Sequence, residues 1–488
     1  MRHLRSIFLY AACLVLVGAP IVGAQDQGQS QSAAPIPAYH SPLAGVAGSG
    51  DTGADDNSDQ SQPENQPLSG VQPLSLGMET TRSYWQPRFD IFGTADSNPQ
   101  EMGEGQNWTT WINASGGVNI HRISGISDLS VGYTAGGMYS NQNVTGNASG
   151  NGVIQGLNFA DKFSFRRTTL SVLDQATYLP ESAFGFGGLG GAGLPGGGFG
   201  APGLAFNPVQ TLLTGSGQML SNADAVEVDE LLTPRSSVTF SGGYSLLHYF
   251  GAGSSLLDYG VVNARGGYNY QLSRNNTLAL VYTFGDYRYG GSGQSMMDHA
   301  LQVSYGRVVT GKLAFQVAGG PLAVFATYSP TLIGTGGSSG TGLVSQSQVT
   351  WSVNTSLQYQ ERRYGMGLSY AHGVNGGSGV LVGSQMDTVT GSLTRQMSRT
   401  FSSGVSGGYS RNQGLPGEGA FASQSYDYWF GGLSLTAPLG PTLGLTLSYQ
   451  VQYQTSNAAA CIGATCGENI LRNMISVGLG WHERPLLF

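Results

Sequence analysis

Large apolar side chains at Ile475, Val477, Leu479 and Trp481 alternate with Ser476, Gly478 and Gly480, so a pleated strand here has one greasy face and one small or polar face. The same rhythm runs from Leu443 to Gln454. There Leu443, Leu445, Leu447, Tyr449, Val451 and Tyr453 oppose Gly444, Thr446, Ser448, Gln450, Gln452 and Gln454. From Val349 to Gln360 it sets Val349, Trp351, Val353, Leu357 and Tyr359 against Thr350, Ser352, Asn354, Ser356, Gln358 and Gln360. Each of these two stretches runs for 12 residues without a charge. That is about double the usual strand of a soluble sheet and long enough for a tilted strand to cross a bilayer.

The connectors between such runs are of two kinds. Short ones carry basic residues: His121 and Arg122, Arg166 and Arg167, Thr233 to Arg235, Arg274 to Asn276, Arg307 to Lys312, Glu361 to Arg363, and Arg395 to Arg399, with Leu439 to Thr442 uncharged. Longer ones are rich in Gly, Ser and Asn: Asn141 to Gly152, Pro180 to Gly217, Gly290 to Met297, Ser329 to Gly342, Asn412 to Ser423, and Asn457 to Glu468. Short and long connections taking turns predict an all-β fold, a transmembrane up-and-down antiparallel β-barrel of about 16 to 18 strands over residues 85–488. A β-propeller has a similar repeat length but needs four short strands per repeat, where these hairpins hold two long ones.

Composition supports this division of the chain. Met1 to Arg5, the apolar run Ile7 to Val17 and small residues up to Ala24 describe a secretory signal peptide over residues 1–24. Cys13 in that run reads as a small hydrophobe, with a lipid-anchored amino terminus as the alternative. Only 10% of residues are charged, Lys is confined to Lys162 and Lys312, and the 77 glycines are more than twice the usual share. Such a chain is ill suited to a charged soluble surface and suits one that meets lipid on one side and polar side chains on the other. Beyond residue 24 there are 19 basic and 28 acidic residues, and residues 25–80 hold seven acids and no base. Residues 25–84, rich in Gln, Ser, Pro and Gly, therefore read as an acidic disordered tether, either a spacer or a contact with cell wall or another protein. The absence of clustered Lys and Arg disfavours a nucleic-acid partner.

Candidate chemistry is sparse. Cys461 and Cys466, alone after processing, read as a local disulfide, since two cysteines without a nearby His or Asp form an incomplete zinc set. Gly306 to Lys312 has phosphate-loop spacing, but Leu313 stands where Ser or Thr should bind magnesium, and it reads as a basic turn. Gly185, Gly187 and Gly190 match a dinucleotide-loop spacing inside a glycine-rich tract, with no βαβ unit around them. His248, His299 and His372 stand apart in sequence, so no catalytic pattern, cofactor or metal site is expected and the protein reads as a non-enzyme. The tract around Phe184, Phe186, Phe199 and Phe206 is either a loop folded inward to constrict a lumen or an external loop. In the acidic group Asp224 to Glu230, Glu227 and Asp229 point opposite to Val226 and Val228, as lumen acids or as solvated wall carboxylates.

With its signal peptide, alternating strands, Tyr-rich strand ends and terminal Phe488, the chain resembles Gram-negative outer-membrane β-barrel proteins of porin-like size. The resemblance implies outer-membrane localisation, surrounding lipid, and insertion by the barrel-assembly machinery. That machinery would read Phe488 and the face of Ile475, Val477, Leu479 and Trp481, with Pro485 a departure because it cannot donate to a ladder. It also implies a homo-oligomer and passive passage of small hydrophilic solutes. Export of an exopolysaccharide or similar polymer, or a structural or adhesive surface role, are the alternatives.

Overall fold

The computed structural model describes residues 68–69, 83–98, 108–140, 152–179, 218–250, 257–290, 293–328, 343–361, 363–376, 381, 383–398, 400–415, 425–457 and 469–487. The first strands are β1 (Tyr84–Asp96), β2 (Thr109–Ser124), β3 (Ser127–Ser140), β4 (Gly152–Ser164), β5 (Thr168–Leu179) and β6 (Gln218–Thr233). Then come β7 (Ser236–Phe250), β8 (Tyr259–Ser273), β9 (Asn276–Tyr289), β10 (Ser295–Thr310), β11 (Leu313–Tyr328) and β12 (Val344–Glu361). The last are β13 (Tyr364–Asn375), β14 (Ser384–Ser398), β15 (Phe401–Gly414), β16 (Ser425–Pro438), β17 (Leu443–Ser456) and β18 (Ile470–His482), with a two-residue β19 (Leu486–Leu487).

Each of these long strands pairs antiparallel with its sequence neighbours, and β1 closes the ring on β18 from Arg88↔His482 to Asp96↔Met474. The result is a closed barrel of 18 long strands, each 12 to 18 residues long. Closure leaves no sheet edge, so every strand finds backbone partners on both sides. Beyond Pro485, Leu486 and Leu487 rejoin the ladder opposite Trp85 and Tyr84. The gap at residues 483–485 falls at the proline, which has no N–H to donate. Phe488 lies outside the described residues.

The alternation sorts side chains by face. In β18 the outward Val477 is 50% exposed and its inward neighbour Ser476 only 5%. This reverses a water-soluble sheet, whose apolar face is covered by a second layer. Phe89, Ile91, Val228, Phe240, Leu280, Val303, Leu368 and Leu433 continue the exposed apolar band around the barrel. No helix among the described residues is long and apolar enough to cross a membrane. The band is interrupted at mid-height by Asp174, which faces Asp224 across the β5–β6 ladder. Asn222 Nδ2 donates to Asp174 Oδ1 at 2.8 Å.

All strand connections at one end are short, and β1 begins and β18 ends there. Arg166, Arg167, Arg235, Arg274, Lys312 and Arg363 stand in these turns, where charge meets water. One turn differs from the sequence expectation: His121 and Arg122 belong to β2, and the chain reverses at Gly125 and Ile126. Gly125 has φ 57°, which a two-residue hairpin turn of this hand requires.

At the other end, near the seam, Arg472 and Asp96 form a buried ion pair with Nε and Nη2 donating to Asp96 Oδ2 at 2.9 and 2.5 Å. Asn98 N–H also donates to Asp96 Oδ1 at 3.0 Å. Thr94 Oγ1 and Ser476 Oγ lie 2.8 Å apart one layer below. Residues 376 positions apart in sequence thus fasten the ring.

Candidate translocation lumen

The register fixes what faces inward. The inward positions of seven consecutive strands, β11 to β17, carry no charged side chain. They present Gln316, Gln348, Asn354, Ser356, Gln358, Ser369, Thr390, Ser392, Ser410, Asn412 and Gln450, together with apolar and aromatic side chains such as Leu322, Val324, Tyr426, Tyr428 and Phe430. Every inward charge among the described residues stands on the remaining arc, from β18 through β10. The carboxylates are Asp90, Asp96, Asp128, Glu227, Asp229 and Asp298; the cations are Arg88, Lys162, Arg265 and Arg472.

These charges alternate in sign. Following the ladder, Asp128 opposes Lys162, Lys162 opposes Ser171, Ser171 opposes Glu227, Glu227 opposes Ser241, and Ser241 opposes Arg265. Partners two strands apart sit about 10 Å from one another, so each charge has an opposite one within roughly a Debye length. The row therefore presents no strong field of one sign. Glu227 and Asp229 both face inward, and Asp229 Oδ1 accepts a hydrogen bond from Thr239 at 2.7 Å. Arg88 Nη2 donates to Thr134 Oγ1 at 2.6 Å.

At the long-loop end the inward apolar side chains of the described residues are buried. Phe92, Trp111, Ile154, Met219, Leu247 and Tyr249 form one buried inward cluster. Tyr289, Met296, Ala300, Leu322, Val324, Ala326 and Leu415 form a second, with Tyr259 and Tyr287 against it. Leu415 follows β15, so its place among residues of β9 to β11 puts the end of a distant hairpin over the lumen. Residues after β13 do the same: Tyr289 Oη donates to the Gly376 carbonyl at 3.2 Å, and Leu381 is buried. Gly383, at φ 86°, sits against Met296 and Leu415 where any Cβ would collide. Toward mid-height exposure is mixed: Ala223 and Asn354 are exposed and Ser356, Ser369 and Ser392 half-buried, while Ser115, Thr134, Asn158, Ser304 and Ser352 are buried.

Phe184, Phe186, Phe199, Phe206, Cys461 and Cys466 lie outside the described residues. The inward-folded connection that the structure does describe, at residues 376, 381 and 383, carries no charge. Val380, Leu381 and Val382 there imitate the strands on either side, and the run from Asn375 to Gly379 hinted at a break. The three isolated histidines acquire partners from neighbouring strands. His248 Nδ1 meets Asp258 Oδ2 at 2.6 Å, His299 Nδ1 meets Tyr282 Oη at 2.7 Å, and His372 Nδ1 meets Asp387 Oδ1 at 2.7 Å. His372 also stacks on Trp351 with centroids 4.0 Å apart. All three face outward near the long-loop end, amid aromatic rings suited to a lipid–water boundary. Among the described residues no group of three or more His, Cys, Asp or Glu is placed to hold a metal ion.

A closed, even-stranded antiparallel ring, apolar outside, polar inside, with short turns at one end and long loops at the other, meets each requirement of a strand-built membrane span. This is the architecture of an outer-membrane barrel. No protein family matches the sequence, and no curated protein matches it. Among solved structures the chain is similar to OpdQ of Pseudomonas aeruginosa, at 11% identity and TM-score 0.41, covering 83% of this chain and 100% of that one. It is similar also to OccAB1 of Acinetobacter baumannii, at 12% identity and TM-score 0.41, covering 82% and 96%. A third, OccK2 (OpdF) of Pseudomonas aeruginosa in complex with glucuronate, matches at 9% identity and TM-score 0.41, covering 83% and 98%. Overlaps this loose transfer no activity, and the barrel's own geometry carries the functional reading.

Proposed function

We propose that the protein is an outer-membrane channel for passive diffusion of small hydrophilic solutes, with the short turns, the start of β1 and the end of β18 on the periplasmic side. The observation that carries this reading is the sorted wall: lipid-compatible side chains outward, and inward a lining of amides, hydroxyls and glycine, exposed at Ala223 and Asn354. A ring of 18 strands is about 36 Å across its backbone, from a strand spacing of about 4.8 Å and a tilt of about 40°. That leaves room for solute beside the lining. The near-balance of inward charge makes ion selectivity weak. Purified protein reconstituted in planar bilayers should give steady ohmic conductance, and in vesicles should admit small sugars. An absence of both rejects the proposal.

A second reading, export of a neutral polymer, draws support from the uncharged arc of β11 to β17, along which hydroxylated chains can exchange hydrogen bonds without a charge trap. It requires that deletion abolish an exported polysaccharide, and an unchanged polymer level rejects it. Oligomerisation draws support from Asp174 and Asp224, since carboxylates facing acyl chains at mid-height are unfavourable and fit a protein contact better. Recognition of the outward face of Ile475, Val477, Leu479 and Trp481 by the assembly machinery is proposed on the same footing.

A further inference from the structure

Two residues that precede the barrel are buried inside it. Leu68 is 1% exposed and packs on Ala279 and Val281, inward residues of β9. Ser69 is 0% exposed. Its N–H donates to Asn269 Oδ1 at 3.1 Å, and Asn269 Nδ2 donates back to Ser69 Oγ at 2.6 Å. Arg265 Nη2 donates to the Leu68 carbonyl at 3.3 Å. The wall makes room for the pair at Gly267, where a Cβ would collide with that of Ser69.

One side-chain amide thus reads both the backbone and the hydroxyl of Ser69, an apolar cup takes Leu68, and a guanidinium holds the carbonyl between them. Each contact is specific, and together they form a binding site for a Leu-Ser peptide unit. Its position matters. Asn269 is four residues from the end of β8, and Ala279 and Val281 lie near the start of β9, so the site is in the short-turn half of the lumen. β8 and β9 stand seven and eight strands from β1 in a ring of 18, so the pair occupies the wall opposite the strand that follows it. Ser83, at the start of β1, is fixed on the near wall, where its Oγ accepts from Ile123 N–H at 3.0 Å. Fourteen peptide steps separate Ser69 from Ser83, a reach of about 48 Å at about 3.4 Å per residue. The tether is long enough to place the pair there without strain.

We propose that Leu68–Ser69 is a built-in plug element: docked on Asn269, Arg265, Ala279 and Val281 it narrows the passage, and released it widens it. This rests on the channel reading given above. The ligand class of the site is a short extended peptide with a branched apolar residue followed by a hydroxyl residue, and the chain's own Leu68–Ser69 fills it.

The test uses the full-length protein carrying Ser69→Pro, which removes the donated N–H and the hydroxyl without touching the wall, beside Asn269→Ala. Conductance follows the open cross-section, so each variant should raise single-channel conductance above the parent's, and the double variant should rise no further. A conducting parent whose conductance neither variant changes overturns the plug and leaves the channel reading intact. Docking itself is read by Ser69→Cys in a Cys461→Ser, Cys466→Ser background, challenged with a water-soluble maleimide in detergent. The site should be protected there and labelled once Asn269→Ala is added. Labelling of Ser69→Cys at the rate of an exposed thiol overturns the docking, whatever the bilayer records show. If no variant conducts, the channel reading fails, and the plug fails with it.

Discussion

The most exacting stability prediction concerns the seam between the first and last long strands. Arg472 and Asp96 have side chains 1% and 0% exposed, and two guanidinium N–H groups converge on one carboxylate oxygen. Replacing one partner takes this buried contact from the other charge, a change that costs about 3–5 kcal/mol. Asp96→Leu and Arg472→Met should each incur this. The double variant replaces both charges with apolar groups and should lie within about 1–2 kcal/mol of the parent, because a buried pair contributes little net stability over apolar isosteres. A coupling of about 3 kcal/mol or more should therefore appear in the double-mutant cycle. The assay is reversible urea unfolding in phospholipid vesicles followed by tryptophan emission. With a slope of about 3 kcal/mol per molar, each single variant should lower the midpoint by about 1 M or more. A control on the exposed pair Lys312–Glu361, 2.5 Å apart but 55% and 38% exposed, should leave the midpoint where it was. Single seam variants that unfold at the parental midpoint, or a double variant as unstable as the sum of the singles, would refute the reasoning.

Three further outcomes follow from the sorted wall. Val477→Arg places a cation on the outward face at mid-strand and should destabilise the barrel by about 2–4 kcal/mol, whereas Asn354→Arg, facing the lumen, should fold normally; equal loss of folded protein in the two contradicts the face assignment. With six inward carboxylates named above against four cations, the channel should prefer potassium slightly over chloride. Asp229→Asn should then move the reversal potential in a potassium chloride gradient toward zero, and an unmoved or increased potential tells against a lumenal Asp229. Leu381→Asp puts a carboxylate where the chain is buried over the apolar cluster at the long-loop end, so it should lift that residue off the mouth and raise conductance, while an unchanged conductance denies the cap.

Periodicity made the wall legible and made contacts across it illegible. Twelve-residue alternations such as those of β12 and β17 announce strand length, pleat face and the absence of a second layer, because all three depend on residues two apart. Of the connections at the long-loop end, those at 97–108, 251–258 and 376–383 escaped the pattern. In the last of these, Val380 to Val382 carry the same apolar character as a strand, and the glycines from Gly376 to Gly379 were the one local mark of a break. Leu68 and Ser69 sit in a stretch whose composition indicates disorder, and a two-residue anchor is too short to show a period. What fixes them is the cup at Asn269, Ala279 and Val281, some 200 residues away. The His372–Asp387 and Arg472–Asp96 pairs were hidden for the same reason, since charge complementarity between strands becomes visible only once register is known.

The inside–outside code itself is tested most directly by a cysteine scan through β12 in the Cys461→Ser, Cys466→Ser background, with the folded protein in lipid vesicles. Thiols at Thr350, Asn354 and Ser356 should react with a small, charged, water-soluble maleimide. Those at Trp351, Val353 and Leu357 should resist it and react only with a lipid-soluble one. Reactivity that fails to alternate along the strand, or alternates in the opposite phase, would contradict the barrel's division into a lipid face and a water face.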